Sequence, residues 1–330
     1  MAAQAAARVA KPFDRICWKA NTIEQVQQAQ AAIAKCQWPD PVEFEVNCVA
    51  SGKGVAGADI LIVDEAHHAM AKSWIDMISQ ATGRVWGFSA TPWTGDEERD
   101  AKLVQFFGRE NFLAVDRDEV KAGGSITEGI VHIHDVDVPG EFDDEIERLT
   151  AAQLAIDTRK FRFISPDELE RRARWRFTLA AVQGNTARND RIVELATRCN
   201  AVLVLVQSIE HGKALQARIP GSAMVYSKMG AKKRHAAIAD FRDGRLSCMI
   251  ATSLADEGLD VPRAAVLVLA AGGRSSGKLE QRAGRVMRPH DSKDFGTVHD
   301  FSDRGARLAY SQYLARAKTY RALGYTIKTK

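Results

Sequence analysis

Five short, uninterrupted apolar runs constrain this chain more than any other feature. Residues 60–63, 85–88, 201–206, 248–251 and 264–270 show no alternation of polar and apolar side chains. Strands of that kind are buried on both faces, as in parallel sheets covered by helices. Helix-forming stretches are read at 190–199, 212–217, 231–242, 279–286 and 306–323. Further strands are expected at 13–19, 42–50, 130–138, 223–226 and 297–300. A helix is expected at 22–36, where Ile23, Val26, Ala29 and Ile33 recur near helical spacing. Strand–helix alternation implies right-handed crossovers within a parallel sheet. The 330 residues are enough for two cores. Segment 140–184 differs, being rich in Asp, Glu and Arg, and reads as two helices at 143–158 and 167–183. The expected organisation is α/β: a parallel-sheet domain at 1–139, a helical connector at 140–184 and a second parallel-sheet domain at 185–330.

Composition narrows the setting. The chain is 45% hydrophobic and 27% charged, as globular proteins are. The longest apolar runs, such as 264–271, are too short to cross a bilayer, and residues 1–10 lack the apolar stretch of a secretory signal. Cys17, Cys36, Cys48, Cys199 and Cys248 form no Cys-x-x-Cys pair, which points to a reducing, cytoplasmic setting without a zinc site. With 46 basic and 42 acidic residues, the net charge of +4 allows a nucleic-acid partner without arguing for one.

Three clusters carry chemistry. Asp64-Glu65 follows the run at 60–63, so two carboxylates stand at the C-terminal end of a buried strand, where open α/β sheets bind ligands. Nucleotide hydrolysis needs such a pair, one carboxylate for Mg²⁺ and one to orient or deprotonate water. Asp64 fits the first role and Glu65 the second, with His67 placed to link the loop onward. The plain alternative is an acidic turn. Ser89-Ala90-Thr91 follows the next buried strand, and its hydroxyls are placed to bond the carboxylate loop and report nucleotide state. The plain alternative there is a Ser/Thr turn closed by Pro92. Gln281, Arg285 and Arg288 stand at i, i+4 and i+7, one face of a helix. Guanidinium forks on that face suit phosphate oxygens, and a solvated basic face is the alternative.

These segments, in this order, resemble the motifs of superfamily 2 helicases of the DEAH type. The likeness is to the DNA-repair and type III restriction-subunit branch rather than to RNA-specific DEAD-box proteins. Residues 64–67 look like motif II and 89–91 like motif III. Residues 204–210 look like motif IV, 250–262 like motif V and 281–288 like motif VI, while 11–30 are similar to motif Ia. The resemblance implies two RecA-like domains in tandem with nucleotide between them and nucleic acid across both, DNA before RNA. It implies ATP and Mg²⁺ as cofactors. Asp64, Glu65, Arg285 and Arg288 would be catalytic, with Arg288 as the finger, and Asp64 would hold Mg²⁺. His67, Gln281, Gly258 and Asp260 would serve the nucleotide. Ser208 and Thr252 would touch the nucleic-acid backbone, and Ser89, Thr91 and Asp256 would couple nucleotide state to motion.

One motif is out of place. G-x-x-x-x-G-K-[ST] should precede motif Ia, yet about a dozen residues lie before the strand at Phe13. Residues 51–54 (Ser-Gly-Lys-Gly) have no helix after them. Residues 272–279 match G-x-x-x-x-G-K but carry Leu279 where the hydroxyl belongs. Ser275 and Ser276 there read as helix N-caps. The first domain is therefore expected to lack its phosphate-loop strand, leaving a gap between the strands at Val85 and Ile130. A separate polypeptide, a second copy or an upstream segment would fill it. Two readings follow: a nucleic-acid-dependent ATPase and translocase whose phosphate loop comes from elsewhere, or an ATP-independent DNA-binding subunit of a larger complex. An unrelated α/β enzyme would need five ordered coincidences.

Overall fold

The computed structural model describes residues 2–51, 54–89, 92–93, 97–108, 127–137, 141–157, 165–252, 259, 261–270 and 272–329. The chain divides into two compact units, Met1–Val115 and Asp116–Lys330.

The first unit holds four parallel strands, β1 (Arg15–Ala20), β2 (Glu43–Cys48), β3 (Ile60–Asp64) and β4 (Arg84–Phe88), in the order β2-β1-β3-β4. Ile60, Leu61, Ile62 and Val63 are all buried, as an uninterrupted apolar run requires. Leu61 and Val63 face one core with Trp74 and Met77, while Ile60 and Ile62 face another with Trp18 and Ala29. Helices α1 (Ala2–Val9), α2 (Ile23–Ile33), α3 (Lys72–Ile78) and α4 (Glu97–Phe107) complete the unit. Thr22 and Gln25 form a capping box that starts α2.

The second unit contains a seven-stranded parallel sheet. Its strands are β5 (Glu128–His134), β6 (Val202–Leu205), β7 (Ser222–Val225), β8 (Cys248–Ala251), β9 (Val266–Leu269), β10 (Phe295–Phe301) and β11 (Thr326–Thr329). The order is β11-β5-β10-β9-β6-β8-β7. Helices α5 (Glu141–Asp157), α6 (Pro166–Gly184), α7 (Thr186–Arg198), α8 (Ile209–Gln216), α9 (Ala231–Arg242), α10 (Ser276–Val286) and α11 (Arg307–Ala322) accompany it. Two apolar cores lie on its faces, one around Leu203, Leu267 and Val298, the other around Val202, Val204 and Val268. Tandem parallel α/β sheets are thus as the apolar runs imply, except that the run at 85–88 is only half-buried, because β4 is an edge among the described residues.

One strand is elsewhere than expected. The sequence reading puts residues 130–138 in the first domain, facing a gap beside Val85. The observed strand β5 pairs instead with β10 and β11 of the second sheet, Ile130 opposite Thr297 and Thr326. Val131 and Ile133 are fully buried in the second unit's core. Alternation reveals a strand but not its neighbour, since register is a tertiary matter. Among the described residues, β4 pairs with β3 alone and forms an edge of the first sheet.

Close packing marks the end of α10. A Cβ on Gly296 would lie 2.5 Å from both Met287 Sδ and the Val286 carbonyl. Backbone cannot yield as a side-chain tip can. Gly296→Ala is therefore expected to destabilise the second unit by about 1–3 kcal/mol, read by urea unfolding, and an unchanged midpoint would show that the strand shifts freely.

Candidate functional site

The carboxylate pair stands where the sequence places it. Asp64 ends β3, level with Phe88 at the end of β4, so the loops that follow both strands emerge side by side. Glu65 then takes a left-handed backbone conformation, φ 50° and ψ 54°. That conformation is uncommon for a residue with a Cβ and costs energy unless neighbours hold it. It turns the chain at once into the short helical turn Ala66–His68. His67 Nδ1 lies 3.0 Å from Ser89 Oγ and 3.3 Å from Glu65 Oε2. One imidazole therefore spans the carboxylate loop and the Ser89 loop. Thr91 lies outside the described residues.

Electrostatics distinguish the two carboxylates. Burial raises the Asp64 carboxyl above the usual range, and the Glu65 charge adds to this. The Glu65 backbone N–H, donating to Asp64 Oδ1 at 3.0 Å, and the Trp18 indole work in the opposite direction. Trp18 comes from the neighbouring strand β1, and nothing in its local sequence marks it. A half-buried carboxylate beside a second one is a site that a divalent cation would relieve. Among the described residues no cluster of three His, Cys, Asp or Glu side chains stands ready to hold a metal unaided. The protein-only fit is thus one carboxylate with the remaining ligands from water and phosphate, as Mg²⁺ prefers.

In the second unit the arginines separate. Helix α10 begins at its N-cap Ser275, as read from sequence, and ends at Val286 with Met287 as C-cap. Arg285 is 8% exposed and donates through Nη1 to the Leu259 carbonyl. It therefore braces the segment after β8 from inside. Arg288 lies past the helix end and is exposed. Gln281 is partly exposed. The three do not share one outward face, because Ala283, Val286 and Met287 turn the helix end into the core. The end itself is held firmly. Thr127 donates its N–H and hydroxyl to the Met287 carbonyl at 2.8 and 3.0 Å. Lys293 Nζ donates to the carbonyls of Ala264 at 2.6 Å and Val286 at 2.9 Å. Burial and then the nearby Arg288 charge pull the Lys293 pKa down to about 8.

Ser208 and Thr252 follow β6 and β8 at the C-terminal ends of adjacent strands. Ser208 Oγ accepts the His211 N–H as the N-cap of α8 and donates to Gln183 Oε1 at 3.0 Å. Its hydroxyl is thus engaged within the unit. Thr252 is buried, its N–H donating to the Val225 carbonyl. Gly258, Asp256 and Asp260 lie outside the described residues. Lys278 is exposed on the first turn of α10, and Leu279 is buried in the core, as expected for a strand-to-helix loop.

With this geometry in view, the likenesses become informative. Residues 172–290 match the helicase conserved C-terminal domain. The chain is 28% identical over 254 residues to "Putative helicase 22" of Sulfolobus islandicus filamentous virus, covering 74% of this chain and 43% of that protein. It is also 28% identical over 233 residues to "Putative DNA 3'-5' helicase Rad25" of Halobacterium salinarum, covering 70% and 34%. The chain spans less than half the length of these curated relatives. Among solved structures it resembles S. cerevisiae Dbp5 bound to RNA and ADP BeF3, with a TM-score of 0.59 at 13% identity over 98% of this chain and 79% of that one. It also resembles the Pyrococcus furiosus Hef helicase domain, with a TM-score of 0.52 at 15% identity over 95% and 91%. Together the matches show a helicase-like tandem α/β fold, with likeness to the helicase conserved C-terminal domain over residues 172–290. No helix among the described residues is long and apolar enough to cross a membrane.

Two expectations follow from the charges. Since the folded Asp64 pKa is raised, its ionised form weakens the fold at neutral pH. Asp64→Asn should raise the melting temperature at pH 7, with the gain shrinking as acid protonates Asp64; a lower melting temperature would show that neighbours stabilise the carboxylate. Burial, and then the Arg188 charge, lower the His211 pKa from 6.5 to about 4. The unfolded chain then takes the proton first, so stability is lost as pH falls from 6.5 towards 4, by about 3 kcal/mol in all. Urea unfolding across that range should show this loss in the native chain and not in His211→Gln; equal acid sensitivity in both would contradict it.

Proposed function

We propose that this chain is the motor portion of a nucleic-acid-dependent ATPase and translocase of the DEAH type, acting on DNA. The observation that supports this most is the loop after β3. There Asp64, Glu65 held in a left-handed turn, and His67 bonded to Ser89 form a connected carboxylate unit beside the edge strand β4. DNA is favoured over RNA because the halobacterial relative is named as a DNA helicase. Asp64 would hold Mg²⁺, which when bound would offset phosphate charge. Glu65 would accept the proton of the attacking water. His67 would keep Glu65 turned toward its task and pass the loop's position to Ser89, with Thr91 and Asp256 in the same coupling role. Gln281, Gly258 and Asp260 would serve the nucleotide, and Arg288 would meet developing charge on the phosphate. Arg285 would act from inside, by holding the segment at Leu259. Ser208 and Thr252 would border the nucleic-acid path along the C-terminal ends of β6 and β8.

Residues 1–330 contain no G-x-x-x-x-G-K-[ST] sequence. The phosphate loop would come from a segment or partner beyond them. The edge that β4 forms among the described residues offers the place, since a parallel strand added there would bring its following loop beside Ser89, one strand over from Asp64. The assay is ATP hydrolysis by the chain together with its natural neighbouring segment or partner, with and without DNA. DNA-stimulated hydrolysis is expected, and Glu65→Gln should lower turnover about 10²–10⁴-fold. A second reading, an ATP-independent DNA-binding subunit, draws on the same lack of a phosphate loop. Salt-dependent DNA binding indifferent to ATP, with no hydrolysis in the complete assembly, would select it.

A further inference from the structure

Two buried arginines meet at the turn between β9 and α10. Arg188 comes from α7 and is 1% exposed, and Arg316 comes from α11 and is 5% exposed. Each pairs with an aspartate at or just past the end of β10. Arg188 Nε donates to Asp303 Oδ1 at 2.8 Å. Arg316 grips Asp300 with two bonds, Nε to Oδ2 at 2.8 Å and Nη2 to Oδ1 at 2.9 Å. Tyr320 donates to the same carboxylate at 3.0 Å. Each arginine also sends its Nη1 to the turn, and Arg316 Nη2 donates in addition to the Phe301 carbonyl at 3.2 Å. Arg188 Nη1 donates to the Ala270 carbonyl at 3.0 Å, and Arg316 Nη1 to the Gly273 carbonyl at 3.1 Å.

The turn is built to accept this grip. Gly273 has φ +143°, a conformation that side chains rarely adopt. A Cβ on Gly272 would meet Gln312 Oε1 at 2.8 Å, so the tip of a side chain from α11 rests against it. Two residues beyond Gly273, Ser275 caps α10. Buried ion pairs are a poor route to stability, because desolvation consumes most of what attraction returns. Their value is geometric: a planar guanidinium anchored on a carboxylate, by two bonds in Arg316 and by one in Arg188, can aim its other N–H groups in few directions. Slipping α10 by a single residue would move it 1.5 Å along its axis and rotate it by about 100°, taking Gln281 and Arg288 off their positions.

We propose that Arg188 and Arg316 are positioning residues for α10, clamping the carbonyls of Ala270 and Gly273 so that Gln281 and Arg288 meet the nucleotide phosphates. This rests on the function proposed above. Each guanidinium acts through backbone and touches no substrate.

The test uses the assembly that hydrolyses ATP. One variant replaces a whole pair, Arg188→Met with Asp303→Leu, leaving no uncompensated charge. The second, Arg316→Lys, keeps the charge beside Asp300 but gives up the fork. Arg288→Ala is measured alongside. The clamp predicts kcat down by about 10²-fold in either clamp variant, as for a misplacement of about 1 Å, with KM for ATP and melting temperature near the parent's. Amide exchange at 272–279 should quicken at least tenfold, while exchange in β6 and β8 stays slow. Parental kcat and parental exchange in a folded clamp variant would overturn the clamp. So would a loss of kcat matched by an equal fall in melting temperature in both variants, since the role would then be structural. Unchanged turnover in Arg288→Ala would instead overturn the assignment of the phosphate arginine, and amide exchange would then judge the clamp alone.

Discussion

A parallel sheet buried on both faces leaves its strands only one kind of exit, a row of loops at their carboxyl ends, and this constraint organises the chain. Asp64, Ser89, Ser208, Thr252 and the 270–275 turn all follow strand ends in one or other sheet. Apolar runs such as Ile60 to Val63 have no side free for solvent, so the polar residue that ends the run is the first that can do chemistry. The raised pKa of Asp64 shows the cost of that position, with burial outweighing the bonds that favour its charge.

What neighbours those loops is decided by side chains that travel across the fold. His67 joins two loops through Ser89. Arg285 reaches inward to Leu259 instead of outward. The arginines of α7 and α11 meet over one turn. The three arginines are buried polar groups that take nearby carbonyls as partners, because leaving them unpaired would cost more, while His67 is only half-buried. The loops at the strand ends are therefore tied together by bonds from residues distant in the chain.

The organisation into two sheets also explains why the resemblance to helicases is legible at such low identity. Packing needs only apolar volume at the strand positions, which many sequences satisfy. The loops need particular atoms. The match at residues 172–290 falls across the run of loops from Ser208 to Arg288. The first unit carries the carboxylates on a smaller, four-stranded sheet.

The sequence by itself determined most strands, the longer helices and the candidate groups at strand ends, because periodicity and capping are local. Residues 231–242 and 248–251 were legible to the residue, and Ser275 could be read as a cap. It missed the short helices at Ala2–Val9 and Lys72–Ile78, the helix Glu97–Phe107 and the edge strand Thr326–Thr329, whose patterns are brief or polar. Only the tertiary structure decided that β5 belongs to the second sheet, that Arg285 is internal, that the Ser208 hydroxyl is spent as a cap, and that Trp18 attends Asp64. Arg188 and its partners are 115 and 82 residues apart in the chain. No local pattern encodes a bond of that span; it exists because the helices of the second unit close over its one seven-stranded sheet and leave the buried polar groups only one another.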